Sequence, residues 1–317
     1  MPIKKDLSAL PTPPRNEGGM LPVTKPVVIQ ALGARWFEKY SKDQDLDLPK
    51  AIPERRFRAS WASARCDRTL YYQMFDVPKT EPATLADYWR FGLGHMVHEY
   101  LQTEFALLFP DKKIWVEVPT DLRPIGLDGS ATVDIVIEPG TADERRIVVE
   151  VKTINGFGFK KSATAFKGPP TGPRWGAIVQ GALSAAALDA DLIIVYISLE
   201  CLSPSMALSY GDGTTLGQFA AEWHIDAASA ADIAAAEVAR NNRVIDLADA
   251  DIIPPRTIHD PELPAGATVV DPARKTWHVR NGDTLLGTGT TWMCDYCDYR
   301  TQCIKDGEGG APTTEEF

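Results

Sequence analysis

Between Thr84 and Leu108 the apolar residues Leu85, Trp89, Leu93, Met96, Val97, Tyr100, Leu101, Phe105 and Leu108 recur at steps of three and four. That period predicts an amphipathic helix ending before Pro110. The pattern then shortens. Lys113 to Val118, Thr132 to Glu138 and Arg146 to Thr153 are predicted as strands, the last two separated by the turn-rich Pro-Gly-Thr-Ala-Asp-Glu. Gly and Pro crowd 167–173, after which Trp175 to Leu188 predicts an alanine-rich helix and Leu192 to Leu199 a buried strand. Helix, three strands, helix, strand is the order of an α/β core. Further on, the pattern predicts a strand near Ala221 to Ile225 and a helix from Ser229 to about Arg243. Pro254 to Gly289 reads as a long irregular excursion with one hairpin around Asn281-Gly282. Residues 1–28, rich in proline, glycine and charge without a hydrophobic period, predict a disordered arm.

Composition adds limits. The chain has 317 residues, 44% hydrophobic and 24% charged, the profile of an ordinary globular protein of one or two domains. The most apolar long stretch, Ala182 to Leu199, carries Asp189 and Asp191 in its middle, so no transmembrane helix is expected. No apolar run follows the first lysines, so no secretory signal is expected either, and the expected location is the cytoplasm. The net charge of −10 argues against coating nucleic acid by charge alone. It leaves room for a nucleic-acid enzyme, because acidic metal sites subtract from the total.

The sharpest chemistry lies on the predicted strands. Asp134 stands in Thr-Val-Asp-Ile-Val-Ile-Glu, and Glu150 and Lys152 in Val-Val-Glu-Val-Lys-Thr. Residues two apart on a strand share a face, so Glu150 and Lys152 point together while Val149 and Val151 point into the opposite layer. A hairpin centred on Ala142 sets Asp134 across from Glu150, with Cβ atoms roughly 5 Å apart. Opposed carboxylates repel unless a cation lies between them. A surface ion pair between Glu150 and Lys152 is the plainer alternative. Against it, Ile147, Val148, Val149 and Val151 are apolar on both faces and place the pair on a buried strand, where unpaired charge is costly. Oxygen ligands from Asp134 and Glu150 suit Mg2+ or Mn2+, which activate water in phosphodiester hydrolysis. Lys152 beside them would lower the water's pKa and stabilise developing charge.

Asp134, Glu150-Val-Lys152 and Gln180 resemble the core motifs of the PD-(D/E)xK nuclease superfamily in its RecB-like branch, and Gly94-His-Met-Val-His98 resembles that branch's G-x-x-x-H motif. The resemblance implies a restriction-endonuclease-like core, a mixed central sheet flanked by helices. It also implies a metal held by His98, Asp134, Glu150 and the Val151 carbonyl, with Gln180 among the catalytic residues. The family has a tyrosine four residues after the glutamine; this chain has Ser184, so no tyrosine role is carried over.

Cys294, Cys297 and Cys303 fall within ten residues, and a fourth soft ligand would complete a tetrahedral or cubane site. Cys66 is the distant candidate, whereas Cys201, following an apolar run, reads as a small buried residue. The segment from Arg58 to Tyr72 resembles the start of iron-sulfur RecB-like nucleases, a group that includes CRISPR-associated exonucleases and AddB-type subunits. That resemblance implies a 4Fe-4S cluster stapling the two chain ends; zinc on the same thiolates is the alternative. Arg55, Arg56, Arg58, Arg65 and Arg68 crowd the approach to Cys66 and read either as a phosphate-docking patch or as a solvated surface. Lys160, Lys161, Lys167 and Arg174 flank the Gly/Pro loop and are expected to track a DNA strand.

The expected organisation is an arm at 1–28, a helical segment at 29–83 carrying the first cysteine, a nuclease core at 84–203, an accessory α/β insertion at 204–291 and a cysteine-bearing tail at 292–317. The expected activity is a Mg2+- or Mn2+-dependent DNA exonuclease acting on single strands or duplex ends. Recombination, repair or CRISPR-adaptation proteins of a bacterium or phage are its expected partners. The alternative is a noncatalytic iron-sulfur or zinc DNA-binding module of a larger recombination complex.

Overall fold

A run of β-branched residues with few polar interruptions puts three consecutive strands at the centre of a mixed sheet. The computed structural model describes residues 57–307 apart from 82, 109–110, 165–170, 201–217, 261–262, 282 and 292. The expected arm at 1–28, Arg55, Arg56, Lys167, Cys201 and the tail after 307 lie outside the described residues. In chain order the elements begin with β1 (Phe57–Arg58), α1 (Asp67–Met74), α2 (Leu85–Leu108), β2 (Ile114–Asp121), β3 (Gly129–Ile137), β4 (Ile147–Ile154), α3 (Gly156–Ala163), α4 (Trp175–Ala187) and β5 (Asp191–Ser198). They continue with β6 (Ala220–Ile225), α5 (Ala227–Asp249), β7 (Thr268–Asp271), β8 (Thr276–Asn281), β9 (Thr284–Thr290) and α6 (Arg300–Lys305).

The central sheet runs β1-β3-β4-β5-β6, with β2 also paired to β3. β3 and β4 are antiparallel in the register expected from sequence: Ile135 faces Val149, Val136 faces Val148 and Ile137 faces Ile147. β4 and β5 are parallel, as a strand–helix–strand crossover through α4 requires. Strand alternation divides the apolar residues between two faces. Val136, Val148, Leu192 and Ile194 join a core with Ala182 and Ala185 of α4, while Ile135, Ile137, Val149 and Val151 form a smaller one against Leu101 of α2. The protein is thus α/β, with a mixed central sheet flanked by helices. Among the described residues no helix is long and apolar enough to cross a membrane.

Three sequence expectations change. The boundary at residue 203 cuts the core, because β6 extends the central sheet and α5 packs its Ala234 and Val244 into one cluster with Val179 and Leu183 of α4. α5 also starts earlier than expected: Asp226, not Ser229, caps it, its carboxylate accepting the Ser229 N–H at 2.9 Å. The stretch from Pro254 to Gly289 is more regular than its pattern suggested. It contains the three-stranded antiparallel sheet β7-β8-β9, with the expected hairpin joining β8 to β9. Its strands are only partly buried, so they carry little of the alternation that betrays a strand in sequence.

Candidate metal centre and cysteine site

The candidate metal centre lies where β3 and β4 part. Their ladder ends at the Ile135–Val149 pair, one step short of Asp134 and Glu150. The Val151 N–H beyond that point donates to Asp134 Oδ2 at 2.8 Å, so the aspartate side chain takes over where the strand partner leaves off. Its other oxygen, Oδ1, lies 3.5 Å from Nδ1 of His98 on α2. Helix and sheet come this close because Gly94 has no side chain: a Cβ there would stand 3.1 Å from Thr153 Oγ1 of β4. Gly94 thus lets α2 lie against β4 one helical turn before His98.

Glu150 is fully buried. Its Oε1 makes a 2.5 Å ion pair with Lys152 Nζ but no directed hydrogen bond, and Oε2 has no partner among the described residues. Burial raises the pKa of this carboxyl, Asp134 adds to the rise, and Lys152 only partly opposes it. Burial works to lower the Lys152 pKa, yet Glu150 holds it above the usual value. Lys152 also donates to Gln180 Oε1 at 3.0 Å. That contact depends on Gly181, where a Cβ would meet Leu192 Cδ1 at 2.7 Å and Glu150 Cβ at 3.4 Å, so α4 can lie directly over the charged strand. Burial tends to discharge His98, but the hydrogen bond and charge of Asp134 prevail and raise its pKa.

One acid escaped the sequence reading. Ligand atoms of His98, Asp134 and Glu117 all lie within 4.8 Å of one another, a set able to hold a metal ion. Glu117 sits on β2 between the Val116–Ile135 and Val118–Val133 pairs, and its backbone has φ +49°, which an L residue adopts at a cost of about 1–3 kcal/mol. Its Oε1 accepts from Gln102 Nε2 of α2, which orients the carboxylate. In sequence it is the polar position of an alternating strand and carries no signal. Tyr196 was also missed: it lies beside Lys152 in the β4–β5 register, and its hydroxyl accepts the Arg174 N–H at 2.7 Å. Ser184 is buried and bonds back to the Gln180 carbonyl at 3.3 Å.

The donor set fits a hard divalent cation. His98, Asp134 and Glu117 bring an imidazole and two carboxylates within 4.8 Å of one another, and the adjacent buried Glu150 has a carboxylate oxygen without a donor among the described residues. Val151 enters the site through its N–H, which donates to Asp134 Oδ2.

The second site joins distant parts of the chain. Cys66 occupies the N-cap position of α1, in extended backbone and without a side-chain cap hydrogen bond. Thr69 Oγ1 lies 3.5 Å from Cys297 Sγ, and Cys303 clusters with Tyr72 and Tyr299. Burial pushes Cys66 up to about 11 and Cys294 up to about 12, with the neighbouring sulfurs adding to both, and Cys297 rises likewise. Such thiols stay protonated at neutral pH unless a metal displaces the protons. Four thiols from the two ends of the described chain lie within electrostatic reach of one another, and the Arg256 Nε–H donates to Cys303 Sγ at 3.0 Å, a donor set that fits a metal–thiolate centre.

Arg65 and Arg68 are not a DNA-docking patch. They are 7% and 0% exposed. Arg65 pairs with Glu237 at 3.1 Å inside a buried network in which Arg240 bridges Glu237 and Asp67 at 2.8 Å each, and Arg68 Nε donates to the Pro254 carbonyl. Arg65 finds its acid, Glu237, on α5, whereas Arg68 reaches only main-chain carbonyls among the described residues. Of the other cations, Arg58 is exposed beside Trp61, Lys160 and Lys161 occupy the last turn of α3, and exposed Arg174 precedes α4.

No family model and no curated protein matches the chain. Among solved structures it is similar to one described as "Crystal structure of SSO0001", at 16% identity and a TM-score of 0.39, over 70% of this chain and 87% of that one. A likeness so distant carries no functional argument.

Proposed function

We propose that the protein is a Mg2+- or Mn2+-dependent deoxyribonuclease with the restriction-endonuclease-like core of the RecB-like PD-(D/E)xK enzymes. On this reading it acts as an exonuclease on single-stranded DNA or duplex ends in recombination, repair or CRISPR adaptation. The observation that carries the proposal is Glu150: a buried carboxylate with an unpartnered oxygen, beside Lys152 and within the electrostatic reach of Asp134 and His98. A structural ion pair would not need the second carboxylate, and a surface pair would not be buried.

Asp134, Glu150 and His98, with the Val151 carbonyl, would hold the cation, which supplies Lewis acidity and an activated water. His98 must give up its proton to serve as a ligand. Lys152 keeps its ammonium form through Glu150 and offers a positive charge to the attacking water and to a non-bridging phosphate oxygen, while Gln180 fixes the direction of that ammonium. Lys160, Lys161 and Arg174 would meet the phosphates of the strand. The four cysteines would hold a 4Fe-4S cluster that clamps the chain ends.

Digestion of end-labelled single- and double-stranded DNA with Mn2+ or Mg2+, and with EDTA, tests the reading. Metal-dependent release of short products from one end is expected. Retained DNA binding without cleavage under any metal would overturn it in favour of the noncatalytic module.

A further inference from the structure

Two guanidinium groups lie buried beside the cysteines without a carboxylate. Arg256 is 3% exposed. Its Nε donates to Cys303 Sγ at 3.0 Å, Nη1 to the Val269 carbonyl at 3.5 Å, and Nη2 to the Cys303 carbonyl at 2.7 Å and to the Gly307 carbonyl. Arg68, two residues after Cys66, is fully buried; Nη1 donates to the same Gly307 carbonyl at 2.7 Å, and Nη2 has no partner. Among the described residues neither makes an ion pair. Asp306, the carboxylate next to Gly307, accepts from Tyr72 and Gln302 instead.

This arrangement is costly in isolation. An arginine side chain stays protonated even when buried, carbonyl dipoles do not neutralise it, and here two such cations share one carbonyl. In the adjacent network Arg65 and Arg240 each face a carboxylate, so the fold supplies acids where it buries arginines elsewhere. Neutral thiols cannot serve that purpose. Four thiolates on a zinc ion or on an oxidised four-iron cubane form a dianion, matching two cations in sign and size.

We propose that Arg256 and Arg68 are the counter-ions of an anionic metal–thiolate centre on Cys66, Cys294, Cys297 and Cys303, with Arg256 positioning the Cys303 thiolate through its Nε–H. This rests on the cofactor reading above. The same cations favour the more negative, reduced state of a redox-active centre. They also tie its loading to the Pro254–Ile258 segment, where Arg256 lies two residues before the Cys66–Ile258 bridge.

The test uses the full chain, purified anaerobically, with iron, acid-labile sulfide and zinc measured per chain. Arg256→Gln should cut the bound metal severalfold and lower the melting temperature, and Arg256→Lys should restore most of both. In a Cys66→Ser/Cys303→Ser background that holds no metal, Arg256→Gln should leave the melting temperature unchanged or raise it, because it removes an uncompensated cation. Arg68→Met, which gives up only two carbonyl bonds, should behave the same way if Arg256→Gln fails to fold. Equal destabilisation in loaded and metal-free backgrounds would overturn the inference, leaving the arginines as braces for carbonyls. A wild-type protein with neither iron nor zinc would instead overturn the cofactor reading on which it rests.

Discussion

Lys152 is held by two neighbours with different tasks: Glu150 maintains its charge and Gln180 its direction. Lys152→Ala should therefore slow DNA cleavage about 10²- to 10³-fold while calorimetric Mn2+ affinity stays near that of the wild type. A loss of Mn2+ binding equal to the loss of turnover would recast the lysine as a structural brace for Glu150. Glu117 presents the opposite balance, since its left-handed backbone stores strain in order to present a carboxylate. Glu117→Gly should raise the unfolding free energy of the metal-free protein by about 1 kcal/mol and weaken Mn2+ binding about tenfold. Thermal melts with and without Mn2+ measure both effects.

At the scale of elements, close approach and internal charge decide how the helices sit. Gly94 sets α2 against β4, Gly181 sets α4 over Glu150, and the Asp67–Arg240–Glu237–Arg65 network ties α1 to α5. Burial alone would raise the Asp67 carboxyl, but the His259 hydrogen bond and Arg240 overcome it and hold the pKa below the ordinary aspartate value. A folded pKa below the unfolded one stabilises the native state above about pH 4. That contribution disappears as the pH falls through the folded value. Melting temperature should accordingly fall as the pH drops below about 4, and Asp67→Asn should flatten that fall while costing about 3–5 kcal/mol at neutral pH. An acid limb unchanged in Asp67→Asn would place the acid sensitivity elsewhere. By the same packing, charge reversal at Arg65 should unfold the protein rather than alter its salt-dependent DNA binding.

Across the whole molecule, Cys66 and the Cys294–Cys303 group lie far apart in sequence and meet beside Tyr72 and Tyr299. A metal–thiolate centre there would close a long loop, and its binding free energy would become folding free energy. Anaerobically purified protein should be brown. Cys66→Ala should lose iron and colour as fully as Cys297→Ala and should speed proteolysis near the N-terminal segment, followed by mass spectrometry of the fragments. A brown Cys66→Ala protein of unchanged protease resistance would remove Cys66 from the ligand set.

Periodicity, strand alternation and turn residues determined the central elements from sequence, together with the β3–β4 register, because each is a local pattern repeated over eight or more residues. Asp134, Glu150 and Lys152 were legible for the same reason: on a strand, spacing alone decides which side chains share a face. Glu117 was not legible, because its part depends on a backbone twist and on a helix that arrives from elsewhere in the chain. Nor was the burial of Arg65, Arg68 and Arg256, since a cluster of arginines reads alike whether its partners are solvent, phosphates, acids on α5 or sulfurs at the far end of the chain. The sheet's extension through β6 also rests on long-range pairing. Local sequence decides what each segment can be; which charges meet, and which are left without partners, is decided only when distant segments pack and exclude water between them.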